Sequence, residues 1–484
     1  MYLGVDLGTS SIKVILMDDS GQILDSQSEA LHISRPHPLW SEQNPQDWWN
    51  AFDKVMLQLT NRNDLQQVCS IGLSGQMHGA TLLDKDNEII RPAILWNDGR
   101  CQAQCEEIEN QVKDCHQITG NLIMPGFTAP KLLWVKQNEP ELFSQIATVL
   151  LPKDYLRFLL TGDFATDMSD AAGTMWLDVN ARAWDQRMLA ACGLTIEQMP
   201  TLFEGNAISG YVSNHLCERW NIKKIPVIAG GGDNAAGAIG VGLVNPGQAM
   251  ISLGTSGVYF LVSEGFNANP QMAVHSFCHA LPSTWHLMSV MLSAASCLQW
   301  FADEIAKLDV PDLLAQLESS SFAVADAPIF LPYLSGERTP HNNPHAKGSF
   351  FGLTHASDQA SLTHGILEGV SFAFADGVDA VHASGAVANE ITLIGGGARS
   401  PYWRQLLADV LNTKITFRQG GDVGPALGAA RLARLAVNPE LNVDDVCPEP
   451  EVVQIHQPNQ DMVKVYKLRR EKFRQLYPLL KSLF

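Results

Sequence analysis

Asp6-Leu7-Gly8-Thr9-Ser10-Ser11-Ile12 returns as Ser252-Leu253-Gly254-Thr255-Ser256-Gly257-Val258, an offset of 246 positions in a chain of 484 residues. Around the first copy, Leu3 to Met17 reads as two short β-rich runs pinched at Gly8-Thr9-Ser10, which predicts a hairpin with small hydroxyl residues at its tip. Strand-forming text follows each copy, as Val14-Ile15-Leu16 and as Tyr259-Phe260-Leu261. A repeat at half-length predicts two similar α/β domains, 1–242 and 243–484, each offering a glycine hairpin to a shared cleft. Glycine lets backbone N–H groups approach an anion closely, and Thr or Ser adds donors without bulk, so two such tips suit the two sides of one polyphosphate. The copies differ at one telling place, where Asp6 stands against Ser252. A carboxylate beside a phosphate loop repels the phosphate unless a divalent cation lies between them, which makes Asp6 the expected magnesium ligand; the same residue at a strand end also satisfies a turn.

Two further glycine turns follow strand-like runs. In Ile228-Ala229-Gly230-Gly231-Gly232-Asp233-Asn234 the turn presents Asp233 at the start of a helix of small residues, where it can cap the helix or accept a proton from an alcohol attacking phosphorus. In Ile391-Thr392-Leu393-Ile394-Gly395-Gly396-Gly397-Ala398 the turn leads into helical text from Tyr402 to Leu411 and is a weak signal by itself. No G-x-x-x-x-G-K-[ST] cradle is present.

Taken in order, Asp6-Leu7-Gly8-Thr9-Ser10, Gly231-Gly232-Asp233-Asn234, Leu253-Gly254-Thr255-Ser256 and Gly395-Gly396-Gly397-Ala398 resemble the FGGY carbohydrate kinases. Gly126-Phe127-Thr128-Ala129-Pro130-Lys131-Leu132-Leu133-Trp134 and Gly336-Glu337-Arg338-Thr339-Pro340 are similar to two further stretches of that family. The resemblance implies two ribonuclease-H-like domains, the fold shared by actin, Hsp70 and sugar kinases, flanking a catalytic cleft. It also implies ATP and Mg²⁺ as cofactors, with Gly8, Thr9, Ser10, Gly254 and Thr255 at the phosphates, Gly396 and Gly397 near the adenosine, Asp6 at the metal and Asp233 as base. Ser74-Gly75-Gln76-Met77-His78-Gly79 resembles the sugar-contacting turn of members that act on xylulose, where those that act on glycerol carry an Arg-Glu pair. Met77 and His78 are therefore expected to touch the sugar, and D-xylulose, phosphorylated at O5 in the use of xylose, is the expected substrate. L-ribulose, gluconate and glycerol are the alternatives within the family, and an actin- or Hsp70-like ATPase acting on a protein is the alternative outside it. Trp96-Asn97-Asp98-Gly99-Arg100 also resembles a family stretch, or serves as a turn.

Composition agrees with a globular enzyme. The formal net charge of −18, from 33 basic and 51 acidic residues, disfavours nucleic acid as a partner. The opening residues show no leader pattern, and the most apolar run, Leu287 to Ala302, is cut by serines and closed by Asp303-Glu304, so it reads as a buried helix with no membrane role. Nine scattered cysteines fit a reducing cytoplasm; Cys101, Cys105, Cys115 and His116 match no zinc spacing. From Asp461 onward Met462, Tyr466, Phe473, Leu476 and Leu480 fall at helical spacing among basic residues, which predicts a docked amphipathic helix. Val437 to Pro458 reads as a surface connection to it, and a homodimer is left open.

Overall fold

The computed structural model describes residues 1–419 and 424–484. The first half builds a six-stranded sheet from β1 (Tyr2–Leu7), β2 (Ser11–Met17), β3 (Ile23–Ala30), β4 (Ser70–Gly75), β5 (Ile208–Tyr211) and β6 (Pro226–Gly232), in the order β5-β6-β4-β1-β2-β3. β1 and β2 are the expected hairpin, antiparallel from Tyr2 opposite Met17 to Leu7 opposite Ile12. β1, β4 and β6 run parallel, so their carboxyl ends open on one edge.

The second half builds a seven-stranded sheet from β7 (Gln248–Leu253), β8 (Gly257–Ser263), β9 (His275–Cys278), β10 (Trp285–Met291), β11 (Glu390–Ile394), β12 (Ile415–Arg418) and β13 (Val452–His456), ordered β9-β10-β8-β7-β11-β12-β13. It repeats the pairing of the first sheet. The β7–β8 hairpin takes an antiparallel neighbour, β10, on one side and two parallel strands, β11 and β12, on the other, ending at the antiparallel edge strand β13. The half-length repeat in the sequence is thus a repeat of topology, with β9 added at one edge. Each motif read from the sequence follows the carboxyl end of a parallel strand, the position where open α/β sheets gather ligands: Gly8 after β1, Gln76-Met77-His78 after β4, Asp233 after β6, Gly254 after β7 and Gly395 after β11.

Five helices frame the cleft and its supports: α1 (Asp233–Gly240), α2 (Gln359–His382), α3 (Pro401–Leu411), α4 (Pro425–Val437) and α5 (Gln460–Leu480). A domain boundary is expected at Gly242/Leu243, yet α4, from the second half, lies on β1 and β4 of the first sheet and against α1. Glycines make that approach possible. A Cβ on Gly4 would sit 2.0 Å from the Ala426 carbonyl oxygen, one on Gly72 1.9 Å from that of Ala429, and one on Gly428 1.7 Å from that of Ala236. α5 docks as expected through Tyr466, Phe473 and Leu476, all buried. Its three arginines pair with α2, where Arg469 bridges Glu368 at 2.5 Å and Arg470 and Arg474 each reach Asp376 at 2.6 Å.

Two expectations are corrected. Leu287 to Ala302 is no single helix: its first residues complete β10, and a helix begins only at Ala295. β10 is an inner strand with Leu287, Met288 and Met291 all buried, so covered faces on both sides erase the alternation that would have marked a strand. The stretch Val437 to Pro458 is more than a connection, since Val452–His456 pairs with β12 as an edge strand. Among the described residues no helix is long and apolar enough to cross a membrane.

Because the contact of Gly72 with α4 is backbone against backbone, the helix must shift to admit even a methyl group. Gly72→Ala is expected to lower the unfolding free energy by at least about 1–3 kcal/mol, the usual cost of overpacking. Gly396→Ala, where an added Cβ meets nothing within 4 Å, is expected to leave it unchanged. Urea denaturation of both variants checks the pair.

Candidate active site

Asp6 stands near the carboxyl end of β1 opposite Lys13, and Asp233 opens α1 directly after Gly232. The charge of Asp233 acts on Asp6. Burial, reinforced by that charge and only partly offset by Lys13, raises Asp6 to about 7. Its Oδ1 is buried with no hydrogen-bond partner. Asp233 is raised to about 6, burial outweighing two hydrogen bonds from Asn234, whose backbone N–H and Nδ2 both donate to Oδ1 at 2.7 and 3.0 Å. Among the described residues Asp233 Oδ2 receives no hydrogen bond, so one carboxylate oxygen is oriented and the other is open to a proton. Two carboxylates at the same sheet edge and an orphaned buried oxygen suit a divalent cation, which commonly takes one or two protein carboxylates and fills its remaining positions from phosphate and water. No cluster of three or more metal-ligating side chains exists among the described residues, so such an ion would depend on its ligand for the rest.

Met77 and His78 follow β4. Met77 is buried with its thioether against the backbone of Gly232: a Cβ there would meet Met77 Sδ at 2.9 Å. His78 takes a left-handed backbone, φ 67°, and its Nδ1 lies 2.9 Å from the Gly173 carbonyl oxygen. A carbonyl only accepts, so Nδ1 carries the hydrogen and Nε2 is left as an acceptor. Burial, with the charges of Lys131 and Arg338, pushes His78 down to about 3, which keeps the ring neutral. Phe127 packs edge-on against the imidazole at 4.9 Å. The ammonium of Lys131, itself pushed down to about 7 by burial, donates to the carbonyls of His78 and Gly126 at 2.8 Å each and fixes the turn from below.

Beneath Gly232 lies a fully buried charge cluster. Lys153 Nζ contacts Asp154 at 2.6 Å, Asp167 at 2.7 Å and Asp170 at 3.1 Å, and Arg157 contacts Asp154 at 2.8 Å. Burial would lower Lys153, but the three carboxylates carry it above its ordinary value, while burial raises Asp170 against the pull of Lys153. Asp167 caps the short helix Met168–Ala172 and accepts the Ser169 hydroxyl at 2.5 Å; that hydroxyl oxygen in turn accepts the Gly232 N–H at 3.1 Å. The cluster therefore reaches the residue before Asp233 through one serine.

Gly254, Thr255, Gly396 and Gly397 line one cavity of about 810 Å³ with Ser296, Arg399 and Trp403, a size suited to a nucleotide. The structure thus unites the second tip with the third glycine turn. Gly397 fits because a Cβ would strike Leu253 Cγ at 2.5 Å. The first tip stands elsewhere on the edge, beyond Asp6, with Ser10 exposed. It is held by a ring of side chains: Thr9 Oγ1 donates to Gln76 at 3.1 Å, Gln76 Nε2 to Gln43 at 2.9 Å, and Gln43 Nε2 back to the Thr9 carbonyl at 2.7 Å. Trp96 donates to Thr9 Oγ1 at 3.0 Å, which joins the Trp96–Arg100 stretch to the tip, while buried Asp98 serves structure by accepting the Ser41 N–H at 2.6 Å and holding Arg100. The nine cysteines are unpaired, and burial pushes the Cys101 thiol up to about 12. Sequence reasoning gave no role to Lys131, Gly173, Gln43 or the Lys153 cluster. Only Asp167-Met168-Ser169-Asp170, a helix-capping pattern, carried a local signal.

The N-terminal domain model of the FGGY family of carbohydrate kinases matches residues 1–240, and the C-terminal domain model matches residues 249–437. The chain is 58% identical to a xylulose kinase of Escherichia coli (strain K12) over 99% of both chains. It is 55% identical to a xylulose kinase of Klebsiella pneumoniae over 100% of both. The crystal structure of a xyloylose kinase from Brucella ovis superposes with a TM-score of 0.95 at 44% identity, covering 100% of each chain.

Ionising Asp6 and Asp233 in the folded protein is costly, because both sit above their ordinary carboxylate values. For a raised acid, stability is greatest below the unfolded value and is lost as pH rises through the folded one. Asp6→Asn removes one such charge, so its gain in Tm over the parent protein is expected to grow from pH 5 to pH 8. Thermal melts at both pH values test this, and a gain that is flat or shrinks with pH contradicts the pairing of the two carboxylates.

Proposed function

The chain belongs to the FGGY family of carbohydrate kinases, and on that premise we propose that it transfers the γ-phosphoryl group of ATP to O5 of D-xylulose, giving D-xylulose 5-phosphate, with Asp233 as general base. The observation that carries the reading is the pair of full-length relatives named as xylulose kinases, together with a buried carboxylate whose Oδ1 is held by Asn234 and whose Oδ2 is open. In this reading Asp233 Oδ2 takes the proton of the sugar hydroxyl as the new O–P bond forms and the bond to the β-phosphate oxygen breaks, leaving ADP. Its raised value, about 6, leaves it mostly ionised at neutral pH while keeping it a stronger base than an exposed Asp. His78 Nε2 accepts a sugar hydroxyl, Met77 offers an apolar wall, Gly8, Thr9, Ser10, Gly254 and Thr255 receive the phosphates, and Gly396 and Gly397 border the adenosine. Mg²⁺ is assigned to Asp6, where it supplies neutralisation of phosphate charge. Nine unpaired cysteines fit work in a reducing cytoplasm.

The test is ADP release with Mg·ATP and D-xylulose, L-ribulose, gluconate or glycerol against a control without sugar. A rise led by D-xylulose supports the reading, a rise led by another sugar replaces the substrate, and hydrolysis indifferent to sugar rejects the kinase assignment. Asp233→Asn is expected to lower kcat by roughly two to four decades while nucleotide still binds. Retention of half the parent turnover removes Asp233 as base. In the parent enzyme kcat/KM is expected to fall as pH drops through about 6–7, because protonation of either carboxylate disables it.

A further inference from the structure

Arg338 is a guanidinium whose one side-chain hydrogen bond among the described residues goes to a thioether. It comes from the second half of the chain, on a segment stitched to β10: Thr339 N–H donates to the Val290 carbonyl at 3.0 Å, Val290 N–H to Thr339 Oγ1 at 3.1 Å, and Leu292 N–H to Glu337 at 3.1 Å. Thr339 Oγ1 also donates to the Ala273 carbonyl at 2.8 Å. From this rigid base the side chain crosses to the first half, where Nη1 meets Met124 Sδ at 3.0 Å. Met124 opens the turn whose Phe127 packs on His78, and Phe127 also touches His275 at 5.6 Å. No salt bridge involving Arg338 is formed among the described residues. Its neighbour Glu337 is buried and raised to about 8, so it carries no compensating charge at neutral pH. Arg338 and His78 both keep part of their surface open.

The other groups described beside Asp233 and His78 are acceptors or donors already engaged. Asp233 Oδ2 and His78 Nε2 accept, Lys131 has given two of its hydrogens to carbonyls, and Asn234 Nδ2 is engaged with Asp233. The contacts run outward from the base in the order Asp233, Gly232, Met77, His78, then the Met124–Phe127 turn that Arg338 meets through Met124. A 2-ketopentose with O5 at the base carries its carbonyl three carbons further along, on an oxygen that can only accept. The geometry points to Arg338 as the residue that holds the carbonyl oxygen of an open-chain ketose, and so selects ketoses over the matching alditols. This rests on the sugar-kinase reading above. In an alditol the same oxygen is a hydroxyl, which His78 or water can serve as well, so the guanidinium favours the ketose.

The experiment compares kcat/KM for D-xylulose with that for xylitol and D-arabitol, its two reduction products, in the parent enzyme, Arg338→Met and Arg338→Lys. With Arg338→Met the ketose value is expected to fall about 10- to 100-fold, the range for losing a charge-assisted hydrogen bond, mainly through KM. The ketose-to-alditol ratio is expected to shrink at least tenfold, while KM for ATP stays within twofold. Arg338→Lys keeps the charge without the planar fork and is expected to fall between the two, and it decides the matter if the Met variant does not fold. A ketose-to-alditol ratio unchanged in a folded variant overturns the assignment to Arg338. A parent enzyme that does not phosphorylate D-xylulose overturns the substrate reading instead, and the inference with it.

Discussion

Two carboxylates, Asp6 and Asp233, are held in one cleft of low polarity, and that enforced closeness is the constraint around which the rest of the molecule is arranged. Burial favours the protonated form of each, and the Asp233 charge adds to the rise of Asp6. Separation is prevented because each sits at the end of a parallel strand in the same sheet, β1 and β6, with β4 between them. Protonation is opposed by Lys13 on one side and Asn234 on the other. The free protein thus carries an electrostatic tension that a cationic or hydrogen-donating ligand relieves, and the relief favours binding over emptiness.

The supports for this arrangement differ in kind between the two sides of the cleft. On the side of Asp233 and His78 they are polar and buried: the Lys153 cluster reaching Gly232 through Ser169, and Lys131 bracing His78. Removing one member of such a cluster strands the others, so it specifies one geometry more sharply than apolar packing does. On the side of Gly254 and Gly396 the supports are mostly absences. Gly395 takes a left-handed φ of 96°, and Gly397 leaves room for Leu253. One wall is held by charge, the other by the lack of side chains.

What the sequence disclosed follows from the range of the interactions involved. The hairpins at Gly8 and Gly254 were legible because turn chemistry is local, and their duplication made the two-sheet topology legible as well. Asp233 stood out because a triple glycine before an acid has few purely structural uses. β10 was misread because an inner strand buries both faces and loses its alternation, and β13 because a short edge strand among prolines resembles a loop. The Lys153 cluster was invisible because its members, spread from Lys153 to Gly232, meet only through folding. Arg469 illustrates the same limit. It reads as one more cation on a basic helix, yet it is buried against Glu368, a hundred and one positions away.

The helix α4 has a consequence for how the molecule comes into being. It belongs by position in the chain to the second half, yet Gly4 and Gly72 leave a slot in the first sheet that this helix fills. A ribosome has delivered all six strands of that sheet by Gly232, but the cover for β1 and β4 arrives only with residues 425–437. The earlier half must wait, with an open face, through the synthesis of nearly two hundred residues. The face of the first sheet formed by β1 and β4 is therefore completed only when the second half supplies α4.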